Sequence, residues 1–142
     1  MNLLEKLKAR LAPEDQPESH RRGRLGEREA RNHLRKLGLK FLTANFTGGR
    51  GEIDLVFRDA DCLVFVEVKA RQANAWRRPA ASVHAKKRRL LTQCAFDYLR
   101  LLDQPPVKIR FDIVEVLLLD GSVQEVRHLP NTFTLSPPYR YG

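Results

Sequence analysis

Apolar and polar positions along the chain alternate in a way that predicts seven regular elements. Leu25, Ala30, Leu34 and Leu37 recur at helical spacing and Gly38 follows as a C-cap, so a helix is expected from about His20. Leu39 to Phe46 reads as a first strand, broken by Gly48, Gly49 and Gly51. Glu52 to Arg58 alternates, with Ile53, Leu55 and Phe57 on one face and Glu52, Asp54 and Val56 on the other. Asp59-Ala60-Asp61 then turns the chain into Cys62 to Val68, a nearly unbroken apolar run of the kind found in a central strand covered on both faces. Residues 71–80 read as an irregular connection. A long helix is expected from about Ala81 to Leu102, burying Val83, Leu90, Leu91, Cys94, Tyr98, Leu99 and Leu102, and stopped by Pro105-Pro106. Val107 to Leu119 and Ser122 to Leu129 form a last hairpin turned at Asp120-Gly121. The order α-β-β-β-α-β-β predicts an α/β fold, a mixed sheet flanked by helices.

The flanks differ in pattern. Leu3, Leu4, Leu7 and Leu11 make one stripe of a short amphipathic helix, and Pro13 to Glu18 reads as a linker. The expected organisation is therefore a helix and flexible linker over 1–19, one domain over 20–130, and an irregular tail over 131–142. With 142 residues, 42% hydrophobic and 30% charged, the bulk should be globular. No stretch has the length and apolarity of a membrane span, so no stable membrane insertion is expected. The opening residues develop no apolar export signal, which makes the cytoplasm the expected compartment. Cys62 and Cys94 have no partner at metal-ligand spacing and read as buried free thiols.

Charge narrows the function. Twenty-six Lys and Arg against seventeen Asp and Glu give a formal net charge of +9. Such a surface attracts polyanions; nucleic acid is the expected one, with an anionic membrane as the rival partner. Lys86-Lys87-Arg88-Arg89 opens the long helix against its macrodipole, as a phosphate-facing patch would, or as a solvated helix end. Lys87 falls in the buried stripe and must snorkel or meet an anion. Arg71, Arg77 and Arg78 add to the same basic side, and Trp76 could stack on a base or pack over the sheet edge.

The candidate chemistry lies in Phe65-Val66-Glu67-Val68-Lys69, a polar pair inside an apolar strand. Burying a carboxylate costs several kcal/mol, roughly, unless it is paired or binds a metal. Glu67 and Lys69 share a face, so a structural ion pair is one reading. A two-residue loop at Ala60-Asp61 brings in a second reading. It sets Asp54 opposite Glu67 and Glu52 opposite Lys69, two carboxylates about 5 Å apart at Cβ. Carboxylates so close need a cation, either Lys69 or a divalent ion. Glu52 is either a helper of that site or a partner of Lys69 or Arg50. Glu27 reads as favourable charge near a helix start with an i,i+4 partner in Arg31. Asp112 reads as the structural partner of Arg110.

Three strings in order, Gly51-Glu52-Ile53-Asp54-Leu55-Val56, Phe65-Val66-Glu67-Val68-Lys69 and Arg110-Phe111-Asp112-Ile113-Val114, resemble a widespread bacterial family, the YraN-like or UPF0102 proteins. The likeness spans about residues 20–130. That family looks like a branch of the restriction-endonuclease-like PD-(D/E)xK superfamily, nearest in style to archaeal Holliday junction resolvases. The resemblance implies Asp54 and Glu67 as metal ligands, Lys69 as the lysine of the ExK half, Glu27 as a further metal-site acid on the first helix, and Lys87 as a recurrent lysine on the helix after the core strand. Ala70 departs from the Thr that many relatives carry. It further implies Mg²⁺ or Mn²⁺, DNA as partner in branched or damaged form, a role in repair or recombination, and a homodimer able to cut two strands. The expected activity is that of a metal-dependent DNA endonuclease with catalytic Asp54, Glu67 and Lys69. The alternatives are a non-catalytic nucleic-acid-binding module of the same fold, or a protein-interaction adaptor.

Overall fold

The computed structural model describes residues 18–49, 51–72 and 85–133. Helix α1 (Glu18–Lys36) is followed by strands β1 (Lys40–Thr47), β2 (Glu52–Asp59) and β3 (Cys62–Gln72). Helix α2 (Ala85–Leu101) and strands β4 (Lys108–Leu119) and β5 (Ser122–Phe133) complete the expected order. Gly38 ends α1 with a φ of 94°, a left-handed conformation open to a residue without Cβ. The Gly38 and Leu39 amides donate to the Arg35 and Leu34 carbonyls, and buried Leu39 packs in one cluster with Leu34. Leu37 was expected on the buried face but is exposed, because the chain leaves the helix there.

The sheet order is β1-β2-β3-β4-β5, with β3 and β4 parallel and every other neighbour antiparallel. The parallel pair requires a crossover, and α2 lies on it. α1 packs on one face of the sheet, chiefly on β3 and β4, around Ala30, Leu34, Leu55, Phe57, Val64, Val66 and Val114. α2 packs on the other, around Phe46, Ile53, Val56, Phe65, Leu91, Cys94, Leu99 and Ile113. Burial on both faces is why β3 is apolar at successive positions. Among the described residues no helix is long and apolar enough to cross a membrane. Cys62 is a half-buried free thiol and Cys94 a buried one.

The β2–β3 hairpin has the expected register: Asp59 faces Cys62, Phe57 faces Val64 and Leu55 faces Val66. The expected alternation of β2 fails at one point. Leu55 and Phe57 pack under α1, whereas Ile53 packs with Val56 under α2. β1 changes face at the same level, with Ala44 on the α1 side and Phe46 on the α2 side. Between them Asn45 takes a φ of 54°, and that left-handed step kinks the strand pair at Asp54.

Three further expectations are corrected. Glu18 and Ser19 belong to α1 rather than to a linker. Leu102 is exposed, since α2 ends at Leu101. β5 passes Pro130 to Phe133 instead of giving way to a tail. Pro130 is tolerated because β5 is an edge strand, where a missing N–H breaks no ladder. An irregularity between the Ile113–Leu129 and Phe111–Phe133 pairs absorbs the extra residues. Phe133 then stacks on Phe111 with centroids 4.5 Å apart. Asp112, fully buried, holds this irregularity: its carboxylate accepts from the Asn131 amide at 2.9 Å, Arg110 Nε at 3.1 Å and His128 Nε2 at 2.7 Å. Its hydrogen bonds to His128, Asn131 and Arg110 keep its pKa below the ordinary value against the opposing effect of burial. Asp112 is thus the structural partner of Arg110 that the sequence suggested, with His128 added. The expected helix over residues 1–11 and Trp76, Arg77, Arg78, Val83 and His84 lie outside the described residues.

Candidate functional site

Backbone pairing of β2 with β3 ends at Leu55–Val66, although β2 begins at Glu52 and β3 runs on to Gln72. β3 continues past that point as the neighbour of β4 alone, in unbroken register from Cys62–Lys108 to Gln72–Leu118. Where the next rungs of the hairpin would be, a side chain takes over. Asp54 Oδ2 accepts the Val68 N–H at 2.8 Å. The anticipated Asp54–Glu67 juxtaposition is therefore one of side chains at a strand divergence, not of a backbone pair.

Four acids converge there from three elements: Glu27 on α1, Glu52 and Asp54 on β2, and Glu67 on β3. The Asp54 carboxyl is pushed up to about 8, first by burial and then by the Glu67 charge, with smaller contributions from Glu27 and Glu52. The Val68 amide opposes the rise. Glu27 is also raised, first by burial, while a hydrogen bond from the Asn45 side chain and the Arg31 charge act the other way. Glu27 does not stand near the helix start, as the sequence suggested, but mid-way along α1, which begins at Glu18 rather than His20. Glu52 is exposed, pairs with Thr47 in the β1 ladder, and acts on its neighbours by charge.

Glu67 has a partner other than the one its own strand suggested. Lys87 Nζ of α2 lies 3.3 Å from Glu67 Oε1, with the lysine half exposed and the glutamate largely covered. Of the two outcomes its place in the stripe allowed, to snorkel or to meet an anion, Lys87 shows the second while staying half exposed. Lys69 follows Glu67 by two residues on a regular strand and shares its face. Its neighbour across the sheet is Glu115 of β4, which is 4% exposed. Glu52, once a candidate partner of Lys69, is on the other side of the divergence. Ala70 belongs to the opposite face, against α1: a Cβ built on Gly26 would stand 2.9 Å from Ala70 Cβ. A hydroxyl at position 70 would therefore face the helix rather than Glu67.

The glycines before β2 do more than break a strand. A Cβ on Gly48 would stand 2.6 Å from Asp97 Oδ2 and 3.3 Å from Cys94 Cα, and one on Gly51 would stand 3.3 Å from the Leu90 carbonyl. Asp97 Oδ2 accepts the Gly49 amide at 3.0 Å and the Asp97 carboxylate also pairs with Arg100. Gly48 and Gly51 thus pass close against α2 just before β2, with Glu52 and Asp54, begins. Asn45 and Asp97 were not singled out in the sequence, since each acts on a residue far along the chain. Of the basic candidates, Lys86 and Arg89 are exposed on the first turns of α2, Arg88 is half-buried, and Arg71 is half-buried at the far end of β3.

Carboxylate oxygens are the hard donors that Mg²⁺ and Mn²⁺ take, and a divalent cation would relieve the repulsion that raises Asp54. In donor chemistry the cluster fits such an ion. It is not preassembled: among the described residues no three His, Cys, Asp or Glu side chains already close on one ligand position.

The profile of the uncharacterised protein family UPF0102 matches residues 26–116, which contain every one of these acids. A UPF0102 protein of Porphyromonas gingivalis is 40% identical over 117 residues, covering 80% of this chain and 84% of its own. One of Solibacter usitatus is 41% identical over 120 residues, 83% of this chain and 89% of its own. One of Trichlorobacter lovleyi is 36% identical over 115 residues, 80% and 91% respectively.

Proposed function

This chain belongs to the uncharacterised protein family UPF0102, and from that premise we propose that it is a metal-dependent DNA endonuclease acting on branched or damaged DNA. The observation that carries the reading is the Asp54 carboxyl, half-buried at a strand divergence with Glu67, Glu27 and Glu52 around it and pushed up to about 8. A raised carboxyl in a crowd of carboxylates is expensive to keep without a cation. Asp54, Glu67 and Glu27 would hold Mg²⁺ or Mn²⁺. Bound there, the ion would supply Lewis-acid activation of water and neutralise charge on the phosphate.

The protein's own groups supply the rest. Lys87 pairs with Glu67 at 3.3 Å and restrains its carboxylate. Lys69, on the same face as Glu67, orients the attacking water or stabilises the negative charge that develops on the phosphoryl oxygens. The net reaction adds water to phosphorus, breaks one P–O bond and protonates the leaving oxygen. The formal charge of +9 brings the polyanion to the protein, with Lys86, Arg88 and Arg89 on one side.

A panel of junction, flap, single-stranded and duplex substrates incubated with Mg²⁺ or Mn²⁺ tests this reading. Wild type cleaves at least one of them, and folded Asp54→Ala and Glu67→Ala do not, though both still bind. Equal cleavage by wild type and Asp54→Ala would locate the activity elsewhere. A second reading, a nucleic-acid-binding module without turnover, is favoured by one observation, the absence of a preassembled ligand trio among the described residues. Binding without cleavage across the whole panel would select it.

A further inference from the structure

Four arginines of α1, Arg24, Arg28, Arg31 and Arg35, recur at steps of four, three and four residues. At 3.6 residues per turn they fall within an arc of roughly 60° and span about 16 Å of helix axis. That arc is not the face α1 buries. Gly26, Ala30 and Leu34 point into the sheet, whereas Arg24, Arg28 and Arg35 are exposed. The stripe runs along the flank towards the edge strand β1. There the Arg31 and Arg35 guanidinium carbons lie over one and the same ring, 4.2 and 5.1 Å from the Phe41 centroid.

Stability explains only part of this arrangement: Phe41 holds Arg31 and Arg35, and Arg35 suits the helix C-terminus, but among the described residues Arg24 and Arg28 have neither contact. Like charges four apart on a helix, as in Arg24–Arg28 and Arg31–Arg35, repel each other and destabilise it. Among the described residues no carboxylate lies within ion-pair distance of any of the four. Glu27 acts on Arg31 only at longer range, and the Asn45 side chain occupies it. Arg31 Nε is buried without a hydrogen-bond partner, so Phe41 holds that guanidinium by its flat face rather than an acid holding it by its edge. The crowding continues past the helix. Lys40 of β1 pairs directly with Arg58 of β2, again like charges face to face. Glu27, one of the four converging acids, lies between Arg24 and Arg28 along the helix.

We propose that this flank of α1 is a track for the sugar–phosphate backbone of a duplex, holding it as it leaves the acidic cluster. The proposal rests on the nucleic-acid reading above and assigns it residues outside the α2 patch. Guanidinium forks match phosphate oxygens two at a time, which suits arginine rather than lysine to this duty. Sixteen ångströms covers about five base pairs at ~3.4 Å each. The α2 patch lies on the opposite face of the sheet, so the two basic surfaces flank the acids between them.

The test is anisotropy of a fluorescein-labelled 20-base-pair duplex in EDTA, titrated at several salt concentrations. Arg24, Arg28 and Arg35 are changed together to Gln, leaving Arg31 on Phe41 to protect the fold. The slope of log affinity against log salt should become shallower by about 2.7, at roughly 0.9 per phosphate contact. Affinity at 100 mM salt should fall at least tenfold. The same three positions changed to Lys should keep most of the slope, which separates charge from helix packing. A Gln variant with the wild-type slope overturns the track, and wild-type cleavage would still leave the nuclease reading standing. Loss of slope with no cleavage by wild type keeps the track and removes the nuclease. Poly-glutamate binding as tightly as the duplex at equal salt would overturn nucleic acid as the occupant.

Discussion

Asp54 Oδ2 accepts the Val68 amide at 2.8 Å, a side chain of β2 standing in for the backbone partner that β3 loses where the two strands part. The bond joins the first candidate ligand to the residue following the second. Burial and the Glu67 charge outweigh it, and the carboxyl rises to about 8.

That rise has a consequence for stability. In the unfolded chain Asp54 titrates near 3.8, so between that value and about 8 the folded protein holds a proton that the unfolded chain has released. Stability from this group is full below the unfolded value and is lost as pH rises through the folded one. Without divalent ions, the melting temperature should fall between pH 6 and pH 9 by roughly 5 °C or more, since a domain of this size shifts by about 2–8 °C per kcal/mol. Asp54→Asn should flatten the fall. Thermal melts of both proteins across that range check it, and parallel curves would show that Asp54 does not hold the proton.

A divalent ion should reverse the trend. Ligation requires the ionised carboxylate, so binding to the cluster releases the Asp54 proton and strengthens as pH rises. Mn²⁺ should therefore raise the melting temperature more at pH 8 than at pH 6, and EDTA should remove the gain. Asp54→Asn and Glu67→Gln should each abolish the shift. A Mn²⁺ shift of equal size in both variants would place the ion elsewhere.

Much of this was legible in the sequence. The Ala60-Asp61 loop fixed the hairpin register, and Leu55–Val66 and Phe57–Val64 follow it. Lys87 had either to snorkel or to meet an anion because it stood in an apolar stripe; half exposed, it reaches Glu67. What sequence spacing missed depended on tertiary contact. Period-two alternation put Ile53 beside Leu55, but the left-handed step at Asn45 turns them to opposite faces. Glu67 was matched with Lys69 on its own strand, whereas α2 delivers Lys87 from the other side of a crossover. Pro130 was read as the end of a strand, but an edge position removes its penalty.

The Lys87–Glu67 pair separates stability from function. Lys87 is half exposed, and such pairs contribute about 0–1 kcal/mol. Lys87→Met should thus leave the melting temperature within a few degrees of wild type. If the lysine restrains Glu67 for the proposed chemistry, cleavage should fall by about tenfold or more, with duplex affinity changed by no more than the loss of one positive charge. Unchanged cleavage in a folded Lys87→Met protein would assign the contact to surface electrostatics alone.

Gly26 tests how closely α1 must approach β3 to bring Glu27 to the other acids. A Cβ at position 26 would stand 2.9 Å from Ala70 Cβ and 3.7 Å from Val68 Cγ1. Ala70 Cβ cannot rotate away, so Gly26→Ala must lift the helix or push on the strand. Overpacking of this kind costs about 1–3 kcal/mol, against a helix-propensity gain of about 1 kcal/mol for Gly to Ala. The single variant should melt lower than wild type and, with Glu27 displaced, lose Mn²⁺ stabilisation and cleavage together. Ala70→Gly removes the opposing atom, so Gly26→Ala/Ala70→Gly should recover both Mn²⁺ stabilisation and cleavage, even though the new strand glycine lowers overall stability. The double variant is more stable than the sum of the single effects only if the two Cβ positions compete for one space. Additive melting temperatures, with no recovery of Mn²⁺ binding in the double variant, would show that the helix reaches β3 by other contacts and that Glu27 does not depend on them.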